Sequence, residues 1–294
     1  MNENLEVRRL SGALGAEVRG VSLGQAGSAE AEMIQSLLME HLVLFFPEQY
    51  VTPEDHIAFG RHFGPVEGHP HLSNRSDYPE IFDLAASRGG VADEWHSDIT
   101  FQPHPSVLSI LNMVQCPEVG GDTLWANMYT AYQELSAPLQ DLCDGLTALH
   151  DASPHGKPEK MAVHPVVRVH PVTKRKSLFV NEHFTRRLVE LSHEESDVLL
   201  GYLTRWVSQA RFTVRYRWSE GTVAMWDNRC TQHFVLNDFD AERIIQRVTV
   251  TGDTPEGACP PRWEPYVRTQ NPGASSRHDS QLNEYLGRRA DTLY

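Results

Sequence analysis

The sequence predicts a mainly β domain with peripheral helices, arranged as a double-stranded β-helix, or jelly roll. Short apolar and β-branched runs recur along most of the 294 residues, while only a few segments show helical periodicity. No internal repeat or linker divides the composition, so residues 1–294 are expected to form one domain. A stretch rich in Pro, Gly and Ser, residues 253–294, is expected to be a C-terminal extension over the surface or at an oligomer contact.

Four segments carry helical signals. Residues Ser28 to His41 place apolar side chains on one side of a helix. Thr52 and Pro53 suit the cap and the first position of a second helix, and residues 129–149 are expected to hold one or two more. The sequence Ser192-His193-Glu194-Glu195 is a capping box, which predicts that a further helix begins there.

Strand signals occupy most of the remaining chain. Residues 171–174 separate two short apolar runs, which predicts a hairpin. From Asp151 to Ala162 the chain is polar and contains Pro and Gly, so this stretch is predicted to be a loop and a candidate lid. The predicted strands lie within residues 5–23, 43–46, 106–115, 123–125, 166–169, 178–180, 211–218, 222–226 and 243–251.

Composition argues against several classes of function. The chain has 26 Lys and Arg against 39 Asp and Glu, and its net charge of −13 disfavours a general binder of nucleic acid or membrane surfaces. No apolar run reaches the roughly 18 residues of a membrane span, and the N-terminus lacks the layout of a signal peptide. The four cysteines show no paired spacing, which favours a reduced, cytoplasmic protein.

His96 and Asp98 are the strongest candidates for metal ligands. They are two residues apart in a segment predicted to be extended, so both side chains would point to the same face. Far downstream, His233 would complete a set of two histidines and one carboxylate, which leaves coordination positions open and suits non-haem Fe(II). Zinc could use the same three residues in a hydrolase, with water as the fourth ligand.

Further blocks of sequence accompany these candidates in a specific order. The blocks are His96-x-Asp98, Gly120 to Trp125 (GGDTLW), His164 to Arg168 (HPVVR), Phe179 to Glu182 (FVNE), Trp226 to Arg229 (WDNR), His233, Arg243 and Arg247. Over roughly residues 5–255 the chain resembles the Fe(II)- and 2-oxoglutarate-dependent dioxygenases of the taurine dioxygenase (TauD)/TfdA family. The resemblance implies a clavaminate synthase-like jelly roll, Fe(II) on the three ligands, and 2-oxoglutarate and O₂ as co-substrates.

The resemblance also implies the reaction and the assembly. An aliphatic C–H of a substrate is hydroxylated while 2-oxoglutarate loses CO₂ and becomes succinate. Family members are usually dimers or tetramers, so a homo-oligomer is expected. A different class stays open, because the same fold also hosts non-catalytic binding proteins and zinc-dependent hydrolases.

The far carboxylate of 2-oxoglutarate needs a cationic partner, and the fork of an arginine matches a carboxylate best. The resemblance assigns this role to Arg243, assisted by the Thr123 hydroxyl, with Trp125 as a wall of the same pocket. Arg247 follows Arg243 by four residues on a predicted strand, so the two would share a face about 13 Å apart. That separation suits two anions, with 2-oxoglutarate at one end and the primary substrate at the other.

The resemblance implies that the substrate anion meets Arg247, His69 and the backbone N–H of Ile99, between apolar walls at Phe101 and Phe184. Arg229 is expected to support the loop that presents His233. Of the remaining histidines, seven show no spacing that suggests a ligand: His104, His150, His155, His164, His170, His183 and His193.

The substrate class follows from a comparison within this pocket. Taurine-using relatives have polar side chains for the substrate amine where Ala92 and Leu72 stand in this chain. An ammonium there would lose water without replacement. A small organic anion without a required amine is therefore predicted, namely an alkyl sulfate, an alkyl sulfonate or an aryloxyalkanoate. Taurine itself, or a carboxylate or amino-acid-like substrate of a biosynthetic hydroxylase, stays the alternative.

Overall fold

The computed structural model describes residues 5–72, 74–88 and 92–266. Its five α-helices in these ranges are Ser28–His41 (α1), Pro53–Arg61 (α2), Met128–Gln133 (α3), Ala137–Asp144 (α4) and His193–Val207 (α5). The strands are Glu6–Arg9 (β1), Ala16–Arg19 (β2), Val43–Phe46 (β3), Val66–Glu67 (β4), Phe82–Ala85 (β5), Leu108–Gln115 (β6), Thr123–Asn127 (β7), Thr147–Ala152 (β8), Lys157–Pro165 (β9), Val167–Val169 (β10), Lys176–Leu178 (β11), Thr185–Leu188 (β12), Thr213–Tyr216 (β13), Val223–Asp227 (β14), Thr231–Val235 (β15) and Ile244–Val250 (β16).

The strands form one large sheet and three small ones. The large sheet has the order β1-β2-β3-β14-β6-β16-β4, with β5 also paired to β16, and only the β2–β3 pair is parallel. The small sheets are β13-β7-β15, β12-β8-β9 and β10-β11. Neighbours such as β14 and β6 are far apart in sequence, so residues from distant blocks meet on one sheet.

Strand β3 explains why both faces of the large sheet are covered. Its side chains alternate: Val43 and Phe45 pack with residues of β7 and β13, while Leu44 and Phe46 pack with residues of α1. The Phe45 ring stacks on Tyr216 with centroids 3.8 Å apart and meets Trp125 edge-on at 5.1 Å. The aromatic layer thus lies between the large sheet and β13-β7-β15, and the helices lie outside, as predicted for the fold class.

The predicted helix signals are confirmed. Helix α1 spans Ser28–His41, and α2 begins at Pro53 with the Thr52 hydroxyl accepting the N–H of Asp55 at 3.2 Å. Ser192 and Glu195 form the reciprocal capping box of α5. The region 129–149 contains two helices, α3 and α4, followed by β8.

The predicted loop from Asp151 to Ala162 is wrong. Strands β8 and β9 form an antiparallel pair that also pairs with β12, and only residues 153–155 form a short 3-10 turn. Gly156 closes that turn with a φ of 68°, which explains its glycine. Lys157, Glu159 and Lys160 of β9 are exposed, and β9 is the edge strand of its sheet, so this polarity belongs to a sheet edge and not to a loop.

The chain beyond β16 crosses the surface of the small sheets as far as residue 266. The Val169 N–H donates to the Glu256 carbonyl at 2.8 Å, and the Tyr266 N–H donates to the Val189 carbonyl at 2.9 Å. Residues 267–294 of the predicted extension lie outside the described residues. Within the part that the structure covers, every helix is too short or too polar to cross a bilayer.

Candidate active site

His96 and His233 are brought together by the backbone. The two residues form an isolated antiparallel bridge, in which each N–H donates to the other's carbonyl at 3.1 and 2.8 Å. Their rings lie with centroids 4.0 Å apart, and the His96 Nε2 is 4.0 Å from the Asp98 Oδ1. One potential ligand atom from each of the three buried residues lies within 4.8 Å of the others. The predicted triad is therefore assembled.

The prediction that Asp98 lies in an extended segment is wrong. His96 is extended, but Asp98 begins a turn in which Ile99 has a φ of 47°. The Asn228 side-chain oxygen accepts the Asp98 N–H at 3.2 Å, and the Ser97 hydroxyl donates to the Thr231 carbonyl at 2.7 Å. These contacts with distant residues override the local β pattern and still direct the Asp98 carboxylate toward His96.

The protonation states of the triad suit a metal ion. Burial lowers the pKa of His233 to about 4, and burial together with His233 lowers the pKa of His96 well below its usual value. Burial alone would raise the pKa of Asp98, but Arg247 and the two histidines outweigh it and lower the pKa. Two neutral imidazoles and one carboxylate therefore face each other at neutral pH, and the His233 Nδ1 is buried without a hydrogen-bond partner in the described residues.

Arg243 is a buried cation that lacks an acidic partner among the described residues. Its Nε donates to the Gly121 carbonyl at 3.2 Å and its Nη2 to the Thr123 hydroxyl at 3.4 Å. Burial lowers the pKa of Arg243 to about 10, opposed only by Cys116. A buried guanidinium in this state favours an anion beside it.

Trp125 belongs both to the aromatic core and to the wall of the cavity. Its ring belongs to the aromatic core with Phe45, and it also lines the cavity beside His233, at 6.4 Å between ring centroids. The Trp218 indole donates to the Thr123 hydroxyl at 2.9 Å and so orients the group that meets Arg243.

Arg247 contacts one of the candidate metal ligands directly. Its Nη1 donates to the Asp98 Oδ1 at 2.5 Å, while the Ser109 hydroxyl donates to the Oδ2 at 2.6 Å. The Arg247 Nε is buried and has no partner among the described residues. The two arginines line one cavity, with the register of β16 against β6 shifted between Ile244 and Ile245.

His69 is held in one orientation by its own loop. The backbone N–H groups of His71 and Leu72 both donate to its Nδ1, at 3.1 and 3.0 Å. The proton of the neutral ring is therefore on Nε2. Burial, with Arg247 and His155 nearby, lowers the pKa of His69 to about 3, and Asn74 clamps its backbone through two hydrogen bonds.

The cavity that these groups share has a volume of about 440 Å³. It contains the triad and nearly all the predicted contacts, but Phe101 is not part of its lining. Phe101 packs behind Phe184, with ring centroids 5.2 Å apart, and so supports the wall from the core. The full lining is His69, Leu72, Phe82, Asp83, Leu84, Ala92, His96, Asp98, Ile99, Leu111, Thr123, Trp125, Pro154, His155, His183, Phe184, Trp218, Trp226, His233, Val235, Arg243, Ile245 and Arg247.

Sequence reasoning missed His155 and His183. The His155 ring lies 4.9 Å from that of His69, and the His183 ring lies 5.5 Å from that of His96. His183 also pairs with Glu94 through an Nδ1–Oε2 contact of 2.6 Å. Neither residue has a ligand-like spacing, because each reaches the cavity from a separate turn. The sequence predicts Phe184, the residue after His183, as a wall of the cavity, but it gives no such signal for the two histidines.

A second cluster with similar composition lies beneath the loop before His233. His170, Asp227 and Cys230 also hold their potential ligand atoms within 4.8 Å. Their polar atoms are already engaged: the His170 Nε2 pairs with the Asp227 Oδ2 at 3.0 Å, and the Arg229 side chain donates to both oxygens of Asp227. This cluster supports the loop, as predicted for Arg229.

Comparisons with known proteins find similar sequences and a similar structure. The model of the family described as "Taurine catabolism dioxygenase TauD, TfdA family" matches residues 6–249. An alkylsulfatase of Acinetobacter baylyi is 36% identical over 279 residues, which cover 87% of this chain and 88% of that protein. An alpha-ketoglutarate-dependent sulfate ester dioxygenase of Pseudomonas putida is 36% identical over 86% of this chain and 91% of its own. A crystal structure of a putative alpha-ketoglutarate-dependent taurine dioxygenase from Burkholderia xenovorans superposes with a TM-score of 0.79 at 38% identity, covering 87% of this chain and 95% of that one.

Proposed function

Because the chain belongs to the TauD/TfdA family of 2-oxoglutarate-dependent dioxygenases, we propose that it hydroxylates an aliphatic carbon of a small organic sulfate or sulfonate. The observation that carries this proposal is that two buried arginines, Arg243 and Arg247, line one cavity with the three candidate metal ligands. One cation serves 2-oxoglutarate and the other serves the substrate. A zinc hydrolase would have no use for Arg243.

We assign Fe(II) to His96, Asp98 and His233, whose donor set is the one that non-haem Fe(II) oxygenases use. When bound, the metal supplies the activation of O₂ and of 2-oxoglutarate that oxidises the substrate C–H. Ser109 and Asn228 keep the Asp98 carboxylate and backbone in position, since the Asn228 amide also donates to the Ser109 hydroxyl at 2.8 Å. This support fixes the ligand before the metal arrives.

We assign the far carboxylate of 2-oxoglutarate to Arg243 and the Thr123 hydroxyl. The bidentate fork of arginine matches a carboxylate, and burial strengthens the interaction. Trp125 and Trp218 exclude water from this end of the cavity. Bound in this way, the co-substrate extends from Arg243 toward the triad.

We assign the anionic group of the substrate to Arg247, to the Nε2–H of His69 and to the Ile99 amide. Ala92 and Leu72 line the cavity where taurine-using relatives have polar residues, so an ammonium would lose water there. A hydrocarbon tail instead gains about 25 cal/mol for each Å² that it buries. Taurine is therefore expected to be a poor substrate.

For an alkyl sulfate, the proposed reaction releases sulfate. The carbon that bears the ester oxygen receives a hydroxyl group, while 2-oxoglutarate and O₂ give succinate and CO₂. The hydroxylated carbon then carries two oxygens, and cleavage of its bond to the ester oxygen yields an aldehyde and hydrogen sulfate. An aryloxyalkanoate is a second candidate, because the aromatic Phe82 and Phe184 line the cavity and suit an aryl ring.

The test is a parallel measurement of succinate formation with Fe(II), 2-oxoglutarate and four substrates. These are hexyl sulfate, hexanesulfonate, a phenoxyalkanoate and taurine. We expect the catalytic efficiency to be highest for hexyl sulfate. A catalytic efficiency for taurine that is tenfold or more above that of the other substrates would refute the proposed substrate class. The highest efficiency for the phenoxyalkanoate would favour the second candidate.

We also propose that the chain works in the cytoplasm as a homodimer or homotetramer. All four cysteines are free, as suits a reducing compartment. Light scattering on the purified protein tests the assembly, and a monomer at micromolar concentration would refute it.

A further inference from the structure

His155 occupies a position in the cavity that the family comparison does not assign. It ends the 3-10 turn between β8 and β9, and Gly156 follows it in the left-handed region. The Asp151 carboxylate holds this turn by accepting the Ser153 N–H at 2.9 Å and the Arg186 Nε–H at 2.8 Å. The His155 ring is thus presented to the cavity by an ordered turn.

The surroundings of His155 leave one of its nitrogens without a partner. Its ring meets Phe101 at 5.6 Å and Phe184 at 5.4 Å between centroids, both nearly edge-on. The Nδ1 is buried and has no hydrogen-bond partner among the described residues. Buried polar atoms are nearly always paired in folded proteins, so such an atom in a binding cavity indicates a contact with the ligand.

One further group with the same property, and one further donor, face the same space. The Arg247 Nε is buried without a partner, and the His69 ring must carry its proton on Nε2 because its Nδ1 accepts two backbone N–H groups. The rings of His69 and His155 lie 4.9 Å apart, close enough for both to reach one head group. Donors from β16, from the loop before β5 and from the β8–β9 turn therefore converge.

The directions of the donors indicate the kind of anion. A carboxylate presents its two oxygens in one plane, whereas a sulfonate or a sulfate ester presents three terminal oxygens that point in three directions. Arg247, His69 and the Ile99 amide are already assigned to the anion, and His155 reaches the same cavity from the β8–β9 turn. A head group with three oxygens places an acceptor toward each of these separate elements, so a donor at His155 favours it over a planar carboxylate.

We propose that His155 is a specificity-determining residue, whose Nδ1–H donates to the third terminal oxygen of a sulfate ester or sulfonate and so favours these anions over carboxylates. This inference rests on the proposed function of the cavity. The inference adds that a third side chain, besides Arg247 and His69, determines which head group the cavity prefers.

The experiment compares hexyl sulfate, hexanesulfonate and heptanoate in wild-type protein and three variants. His155→Phe keeps a flat ring and removes the donor, while His155→Asn keeps an N–H near the position of Nδ1. His104→Phe is the matched control, because His104 is exposed and does not line the cavity. Succinate formation gives kcat and KM, and calorimetry with Mn(II) and N-oxalylglycine, an unreactive analogue of 2-oxoglutarate, gives substrate affinity without turnover.

We expect His155→Phe to lower kcat/KM for the two sulfur anions by about tenfold or more through KM, with affinity falling in parallel and heptanoate changing less than about threefold. His155→Asn should recover a large part of the loss, and His104→Phe should behave like the wild type. Equal losses for all three anions, no loss for any of them, or equal losses in the Phe and Asn variants would each overturn the assignment. If wild-type protein neither binds nor turns over either sulfur anion, the proposed function fails as well, so the two failures are distinguishable.

Discussion

Two buried clusters in this protein share nearly the same ingredients and differ in what is left unpaired. His96, Asp98 and His233 lie at the cavity, and His170, Asp227 and Cys230 lie beneath the loop that leads to it. In the second cluster, His170 accepts two backbone N–H groups at Nδ1 and donates from Nε2 to Asp227. Arg229 occupies both oxygens of that carboxylate.

The cavity cluster differs in its histidines, because both oxygens of Asp98 also accept a hydrogen bond, one from Arg247 and one from Ser109. The His96 Nδ1 pairs with the Glu94 carbonyl at 2.8 Å, which leaves its Nε2 toward Asp98, and the His233 Nδ1 has no partner among the described residues. A metal ion needs lone pairs that no hydrogen bond uses. The comparison teaches that residue type alone does not identify a metal centre, whereas the state of the hydrogen bonds around it separates a functional cluster from a structural one.

Removing the carboxylate of the cavity cluster should have the largest effect. Asp98→Ala deletes one of three proposed ligands, and we expect turnover to fall by roughly a thousandfold or more, since metal catalysis is worth several kcal/mol. Succinate formation with saturating Fe(II) and 2-oxoglutarate measures it. Turnover at the wild-type rate would show that the catalytic carboxylate is elsewhere.

The corresponding change in the second cluster should act on folding. Asp227→Ala leaves the buried Arg229 and His170 without their acceptor, and we expect a loss of about 3–5 kcal/mol in the free energy of unfolding. Urea denaturation measures the loss, with the exposed Asp240→Ala as a control that should change stability by about 0.5 kcal/mol or less. If Asp227→Ala unfolds at the same urea concentration as the control, the structural role is wrong.

His56 provides a third case, a buried histidine without any carboxylate. Its Nε2 pairs with the Ile110 carbonyl at 2.9 Å, and burial lowers the pKa of His56 to about 4, although that hydrogen bond opposes the shift. The unfolded chain takes up a proton near pH 6.5, before the folded chain does. The contribution of His56 to the free energy of unfolding should therefore be fully present above pH 6.5. It should be lost, by roughly 3 kcal/mol, as the pH decreases to about 4.

The measurement for His56 is urea denaturation between pH 7 and pH 4 in wild-type protein and in His56→Gln. The difference between the two curves isolates the contribution of His56 from other groups that titrate. The variant should show a shallower pH dependence by about the predicted amount. If the free energy of unfolding depended on pH equally in the two proteins, burial would not disfavour the protonated form of His56, and this prediction would be wrong.

The two arginines of the cavity are expected to bind different anions. Arg243→Ala should weaken 2-oxoglutarate binding by about 1.5–3 kcal/mol, the value of a hydrogen bond to a charged group. Arg247→Ala should leave that binding nearly intact and raise the substrate KM. Calorimetric titration of 2-oxoglutarate, without substrate, into both variants tests the division, and the reverse pattern would exchange the two roles.

The sequence was sufficient for the local features of this fold. The bounds of α1 and the caps at Thr52 and Ser192 follow from side chains within a few residues of each other. The triad also followed, because its residues lie in specific blocks. Three features could not be predicted from the sequence: the turn at Asp98, the strand pair on either side of Gly156 and the position of His155. Each depends on contacts with residues distant along the chain, such as Asn228 and Arg186, which no local pattern encodes.

Metal binding tests the central claim most directly. Titration of the metal-free protein with Fe(II) under anaerobic conditions should give one ion per chain for wild-type protein and for Cys230→Ala, which changes only the saturated cluster. Asp98→Ala should bind far more weakly. Retention of full-affinity binding by Asp98→Ala, or its loss in Cys230→Ala, would contradict the assignment of the metal to His96, Asp98 and His233.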